Sequence, residues 1–256
     1  AIDGGKVITL TKTNLAASDG DGTTNDLNDT ITVGGTTGSA GNITINATTA
    51  AAAQTTTGTI AATTGTSTVA GGDTVSITLT KGTGSTVNNA FTATDGGRSA
   101  TASGTLANVT FDGYGAASTV ASNALSNLTL KNSQATTSVT VTNSKTADAT
   151  AHSKTLNLSL DTVANTTLID TNAEISTLNV TTLGTTAARA STLAAITDAN
   201  LTTLNVSGTN KLTLTAATGL AGLTTVGVSG TAAFTAAVDL SAVAADLATV
   251  TTTGTT

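Results

Sequence analysis

Apolar residues in this chain come in short runs, mostly at alternate positions, and one eight-residue arrangement of them returns along the C-terminal part. Leu201-Thr-Thr-Leu-Asn-Val-Ser-Gly208 and Leu223-Thr-Thr-Val-Gly-Val-Ser-Gly230 match almost residue for residue at a spacing of 22. Ile175-Ser-Thr-Leu-Asn-Val-Thr-Thr182, Ser153-Lys-Thr-Leu-Asn-Leu-Ser-Leu160, Leu125-Ser-Asn-Leu-Thr-Leu-Lys-Asn132 and Leu106-Ala-Asn-Val-Thr-Phe-Asp-Gly113 follow the same template. Leu247-Ala-Thr-Val-Thr-Thr-Thr-Gly254 is a weaker copy. Apolar residues take the first, fourth and sixth places, and the last two obey the alternation of a strand with one buried face.

The copies follow one another at 19, 28, 22, 26, 22 and 24 residues, so a fixed strand alternates with a loop of variable length. Several intervals hold a second alternating run, such as Ser138-Val-Thr-Val-Thr142 and Lys211-Leu-Thr-Leu-Thr215. An interval of that size with two or three short strands is the size of one turn of a parallel β-helix. The prediction is an all-β solenoid of about seven irregular rungs over residues 101–256. Each copy would lie over the one before it at about 4.8 Å, because no rung can satisfy its own strand hydrogen bonds. Asn157, Asn179 and Asn205 hold equivalent places, which predicts a stacked amide ladder.

Residues 1–100 lack the template. Lys6–Thr11, Thr30–Val33, Asn42–Asn46, Gly58–Ala61, Asp73–Leu79 and Ala90–Thr94 read as short strands between Gly-, Asp- and Asn-rich turns. They predict a separate β module, sandwich-like, or else degenerate rungs of the same coil. One short helix on a rung's loop is the alternative for the Ala- and Val-rich stretch from Ala232 to Leu247.

Composition narrows the picture. Phe91, Phe111, Phe234 and Tyr114 are the only aromatics, so any core is thin. Charged residues make up only 9% and aliphatics recur throughout, which is not the profile of a disordered chain. Fifteen acids against nine bases with no basic stripe argue against nucleic acid. No apolar run approaches the roughly 18 residues needed to span a bilayer. The absence of Met, including an initiator, suits a processed product or a portion of something longer.

Candidate chemistry is sparse. Asp19-Gly-Asp-Gly-Thr-Thr-Asn-Asp-Leu-Asn-Asp29 collects acids among Gly and Asn, a pattern of hard oxygen donors that suits Ca²⁺. Asp19, Asp21, Asn25, Asp26 and Asp29 are the candidate ligands. The segment is not an EF-hand, since Thr30 stands where that loop needs Glu, and a polar turn capped by its own Asx side chains accounts for the same residues. Gly71-Gly72-Asp73 and Asp95-Gly96-Gly97 match only fragments of the calcium nonapeptide repeat and read as glycine turns at strand ends. Sugar-cleaving β-helices need paired carboxylates and stacking aromatics. Here Glu174 is the only Glu, the single His152 lies in a polar stretch, and no acid cluster recurs, so no enzyme is expected.

In its Leu-Thr-Thr-Leu-Asn-Val-Ser-Gly segments and the Thr/Ala/Gly-rich text around them, the chain resembles repetitive β-strand proteins of Gram-negative surfaces. These are surface-layer proteins of the type I secreted, calcium-binding kind and related adhesins. The resemblance covers roughly residues 101–256. It implies export, assembly with identical copies into a lattice or fibre at the cell surface, and cohesion that depends on Ca²⁺. Clean tandem calcium nonapeptides are missing, so the calcium part does not carry over residue by residue. The expectation is an extracellular structural subunit that pairs with itself and, as a further partner, cell-surface polysaccharide. The alternative is an adhesin stalk or ligand-binding module, for which Phe111-Asp-Gly-Tyr114 is the one candidate patch.

Overall fold

The computed structural model describes residues 7–15, 26–28, 30–34, 41–49, 55–64, 73–83, 86–95, 104–142, 154–184, 190–216, 219–230, 236–238 and 249–254. Its strands are β1 (Ile8–Leu15), β2 (Asp26–Asn28), β3 (Ile31–Val33), β4 (Ile43–Thr49), β5 (Thr55–Thr64), β6 (Asp73–Thr80) and β7 (Thr86–Asp95). Then come β8 (Leu106–Asp112), β9 (Ser118–Ala121), β10 (Asn127–Lys131), β11 (Thr137–Thr142), β12 (Lys154–Asp161), β13 (Thr166–Asp170) and β14 (Ile175–Thr182). The last are β15 (Ser191–Thr197), β16 (Thr203–Gly208), β17 (Leu212–Ala216), β18 (Thr225–Gly230), β19 (Ala236–Val238) and β20 (Thr249–Gly254).

From β3 onward successive strands go to two sheets in turn. The first sheet has ten strands in the order β1-β4-β6-β8-β10-β12-β14-β16-β18-β20. The second runs β19-β17-β15-β13-β11-β9-β7-β5-β2, with β3 also on β5. Every pairing is parallel. The molecule is therefore a two-sheet parallel β-solenoid, as the repeat predicts.

The sandwich-like alternative for residues 1–100 is not what the pairing shows. β1, β4 and β6 lie in the first sheet, and β6 pairs in parallel with β8 across the expected boundary. One apolar cluster runs from Ile8 to Val226. These are degenerate rungs, written with Ile43-Thr-Ile45 and Val75-Ser-Ile77 rather than with the leucine template, and they add β1, β4 and β6 to the seven first-sheet strands from β8 to β20 that the repeat region holds. Their loops are also longer, as 35 residues separate the paired Ile8 and Ile43. The helix considered between Ala232 and Leu247 is corrected at its described part: residues 236–238 form β19, which pairs in parallel with β17, Ala236 beside Leu212 and Val238 beside Leu214. The rest of that stretch lies outside the described residues.

The core is a stack of equivalent layers filled by different side chains. Ile8, Ile43, Val75, Val109, Leu128, Leu158, Val180 and Val206 form one inward column of the first sheet, all buried. Ile31, Ile60, Phe91, Ser118, Val139 and Leu168 form its counterpart in the second. The sheets meet at the aromatics, where Phe91 of β7 sets its ring 5.5 Å from that of Phe111 of β8 at 85° and 6.3 Å from Tyr114. Such a layer needs a small neighbour, and Ser118 supplies it, its Oγ accepting the Phe91 N–H at 3.0 Å. At Gly113, the turn after β8, φ is +89° and a Cβ would stand 2.1 Å from the Leu79 carbonyl oxygen, so only glycine lets the chain leave the rung there.

Candidate functional site

The outward positions of the first sheet are built by the same alternation that fills the core, so each outward column repeats at the strand spacing. One column is an amide ladder. Asn127 donates to Asn108 at 2.8 Å, Asn157 to Asn127 at 3.0 Å, Asn179 to Asn157 at 2.9 Å and Asn205 to Asn179 at 2.9 Å, each from Nδ2 to Oδ1. The predicted trio therefore stands in a ladder of five. Below it the column continues in Thr74, whose Oγ1 accepts Asn108 Nδ2 at 3.4 Å, and whose N–H donates to Asn42 Oδ1 at 2.9 Å. Above it stands Gly227.

The ladder corrects the register read from the repeat. Asn108 and Asn127 hold the third place of their copies, whereas Asn157, Asn179 and Asn205 hold the fifth, yet all five align. The interval across β10 and β12 is 30 residues, two more than the template spacing. A slip of two keeps every side chain on its own face, so burial cannot choose between the registers. The amide pair can. In the template register Asn157 would face Thr129 and Asn127 would face Thr155, and the amide-to-amide bond between them would be lost.

Two residues along each strand lies a hydroxyl column. Thr9, Thr44, Ser76, Thr110, Thr129, Ser159, Thr181 and Ser207 are successive partners, and the last two hydroxyls are 3.1 Å apart. On the ladder's other side Thr155, Thr177, Thr203, Thr225 and Thr249 make a third column from β12 to β20. The polar residues between motif leucines thus face outward, as the alternation predicts.

No family model, no curated protein and no solved structure matches this chain. What the chain does must be argued from its own surfaces.

Five of the described acids stand at or beside strand ends. Asp73 opens β6, Asp95 ends β7, Asp161 ends β12, Asp170 ends β13 and Asp198 follows β15, and all five are buried. Asp95 accepts the Thr105 N–H at 2.7 Å. Asp170 accepts three N–H groups, from Asn172 at 3.2 Å, Glu174 at 2.7 Å and Ile175 at 3.0 Å. The two fragments of the calcium nonapeptide thus contribute Asp73 and Asp95 to strand ends. Beside the Asp170 corner Glu174 forms an ion pair with Lys154.

The aromatic patch considered for ligand binding is buried. Phe111 and Tyr114 have no exposure, because Gly113 turns the chain inward between them and both rings complete the layer with Phe91. Tyr114 ends that layer with its hydroxyl 3.0 Å from Thr166 Oγ1, and burial pushes its pKa up to about 12 against the opposing pull of the Thr166 and Ser133 hydrogen bonds.

Of the calcium candidates, Asp26 lies in β2, and Asp19, Asp21, Asn25 and Asp29 lie outside the described residues, as does His152. Among the described residues no group of three or more His, Asp or Glu is placed to hold a metal. No helix among them is long and apolar enough to cross a membrane.

Sequence reasoning missed the two exposed large hydrophobics among the described residues, Val7 at 71% and Val250 at 57%. Val7 immediately precedes the first strand of the first sheet and Val250 lies in its last. Val250 continues the buried column of Leu156, Leu178, Leu204 and Val226. The signal in the sequence is that Val250 holds a core position of the template in its weakest copy, residues 247–254.

Proposed function

We propose that this chain is a structural subunit of an extracellular surface layer or surface filament, self-assembling through its β-rich ends. The observation that supports this most directly is the pair Val7 and Val250. A large apolar side chain stands exposed at each end of the same sheet, and Val250 holds a position that is buried in the inner rungs. Beside each valine a strand offers one unpaired row of backbone N–H and C=O groups among the described residues, since β1 pairs only with β4 and β20 only with β18. Joining two ends would bury both valines, worth roughly 1.5–3 kcal/mol each when complete, and pair the open strand edges. The role is structural rather than catalytic, with a second copy as the partner.

Calcium belongs to the same reading, with Asp19, Asp21, Asn25, Asp26 and Asp29 as the ligands. Calorimetric titration of the full chain with Ca²⁺ tests that part, and no heat removes it.

The assembly reading is tested by sedimentation and light scattering of the full chain with and without Ca²⁺. The parent is expected to associate in a concentration-dependent way and Val250→Lys to disperse it. A parent that stays strictly monomeric in both conditions overturns the proposal.

A further inference from the structure

End contacts join solenoids along one axis, but the first sheet also has a long outer side. We infer that this side, centred on the asparagine ladder, packs against the same side of a second copy, so that end-to-end files pair side by side. The inference rests on the self-assembling reading above and deepens it by naming the lateral partner.

Charge is the first argument. The chain carries nine bases and fifteen acids, yet from β12 to β20 the ladder column and its two flanking columns hold none of them. A sheet face meant to stay in water ordinarily carries lysine or glutamate, which block pairing with another sheet.

Periodicity is the second. From β14 to β20 the register runs without a shift, so the hydroxyl side chains of the two flanking columns repeat at about 4.8 Å in straight lines on either side of Asn179, Asn205, Gly227 and Thr251. Two such faces are self-complementary, because the ridge of one column fits the furrow beside another. Stacked Asn and Thr columns pair in this way in dry sheet-to-sheet interfaces.

The third is desolvation. Burying an amide is costly when it lacks partners. Here Asn127, Asn157 and Asn179 each donate to one neighbour and accept from the other within their own chain. The ladder thus enters a contact with much of its hydrogen bonding already made.

Area is the fourth. The five strands from β12 to β20 at about 4.8 Å and five residues at about 3.3 Å make a face of about 24 by 17 Å, on the order of 400 Å² per copy. Each further copy in an end-to-end file repeats the face, so two files paired over two copies reach the roughly 800 Å² per partner of a stable specific interface.

The test uses the full chain and three variants. Thr203→Lys puts a charge in the flanking column, Val250→Lys charges an end, and Thr203→Cys introduces one thiol into a chain that has none. In electron micrographs and by mass per unit length, the parent is expected to form laterally joined ribbons. Thr203→Lys should give single-file filaments with mass per length reduced about two-fold, and Val250→Lys short laterally paired particles. Assembled Thr203→Cys treated with a short bis-maleimide should give covalent dimers. Ribbons of unchanged width from Thr203→Lys, or no covalent dimer from assembled Thr203→Cys, overturn the lateral contact and leave the end-to-end reading intact. A parent that never assembles overturns both.

Discussion

Asn157 donates its side-chain amide to Asn127 at 3.0 Å although the two residues hold the fifth and third places of the repeat. The pair fixes how β10 sits against β12, since the apolar pattern accepts either of two registers that differ by two residues. A net contribution of about 0.5–1.5 kcal/mol is expected for a hydrogen bond of this kind. Asn127→Ala and Asn157→Ala should each lose about 1–2 kcal/mol, because each residue bonds on both sides. The double mutant should lose less than their sum by about 1 kcal/mol. Urea unfolding followed by circular dichroism measures all four forms. Strict additivity would mean that the two amides are not coupled and that something else sets the register.

Tyr114 gives the solenoid an alkaline limit. Its phenol is buried and its pKa is raised to about 12 from the ordinary value of 10.0. The folded state favours the neutral form, so this stability is fully present below about pH 10 and is lost as pH rises towards 12. Two pKa units correspond to about 3 kcal/mol. Denaturation midpoints should fall steeply across that window, and Tyr114→Phe should flatten the fall while costing about 1–2 kcal/mol at neutral pH through the orphaned Thr166 hydroxyl. Tyr114 is the only tyrosine and the chain has no Trp, so phenolate absorbance reports it directly. Titration of the folded protein at the pKa of free tyrosine would refute the account.

Asp170 holds the corner that carries the chain from β13 to β14. One side chain satisfies three backbone N–H groups, which is the work of a cap at the end of a strand. Asp170→Ala leaves those donors without their acceptor and is expected to cost about 2–4 kcal/mol, whereas Asp170→Asn keeps one carbonyl oxygen and should cost about half as much. Hydrogen exchange at Glu174 and Ile175 localises the effect. Protection there that is unchanged in Asp170→Ala would show that the carboxylate is not the cap.

The legibility of this fold in its sequence follows from what a repeat records. Leu204 and Val206 mark an inward pair in every complete copy, so the solenoid and its outward Thr and Asn columns could be read directly. The first rungs could not, because Ile43 and Ile45, or Val75 and Ile77, satisfy the same burial with no leucine at the first place, and longer loops hide the period. Register was illegible for a different reason. Period-two alternation is blind to a slip of two, and only Asn108 and Asn127 on the page of the sequence, compared with Asn157, distinguish the choices. The aromatic pair Phe111 and Tyr114 looked like a surface patch because a turn separates them, and Gly113 folds that turn back into the core. Val7 and Val250 became candidates only when the stack showed where its described strands end.

Gly227 stops the ladder, and its removal should extend it. The position aligns with Asn205, and no left-handed backbone obliges glycine there. A Cβ at 227 would meet Asn205 Oδ1 at 2.8 Å, too close for the present rotamer. The obstructing atom is the far end of a side chain, so turning the amide relieves it at small cost. Gly227→Asn would then place a sixth carboxamide above Asn205, add one hydrogen bond and remove the entropic cost of glycine in a strand, a gain of about 0.5–1.5 kcal/mol. Gly227→Ala supplies the Cβ without the amide and should gain less. Chemical denaturation of both variants separates the two contributions. If Gly227→Asn is no more stable than Gly227→Ala, the ladder does not propagate through side-chain amides alone, and the glycine is there because the outer face needs a recess at that rung.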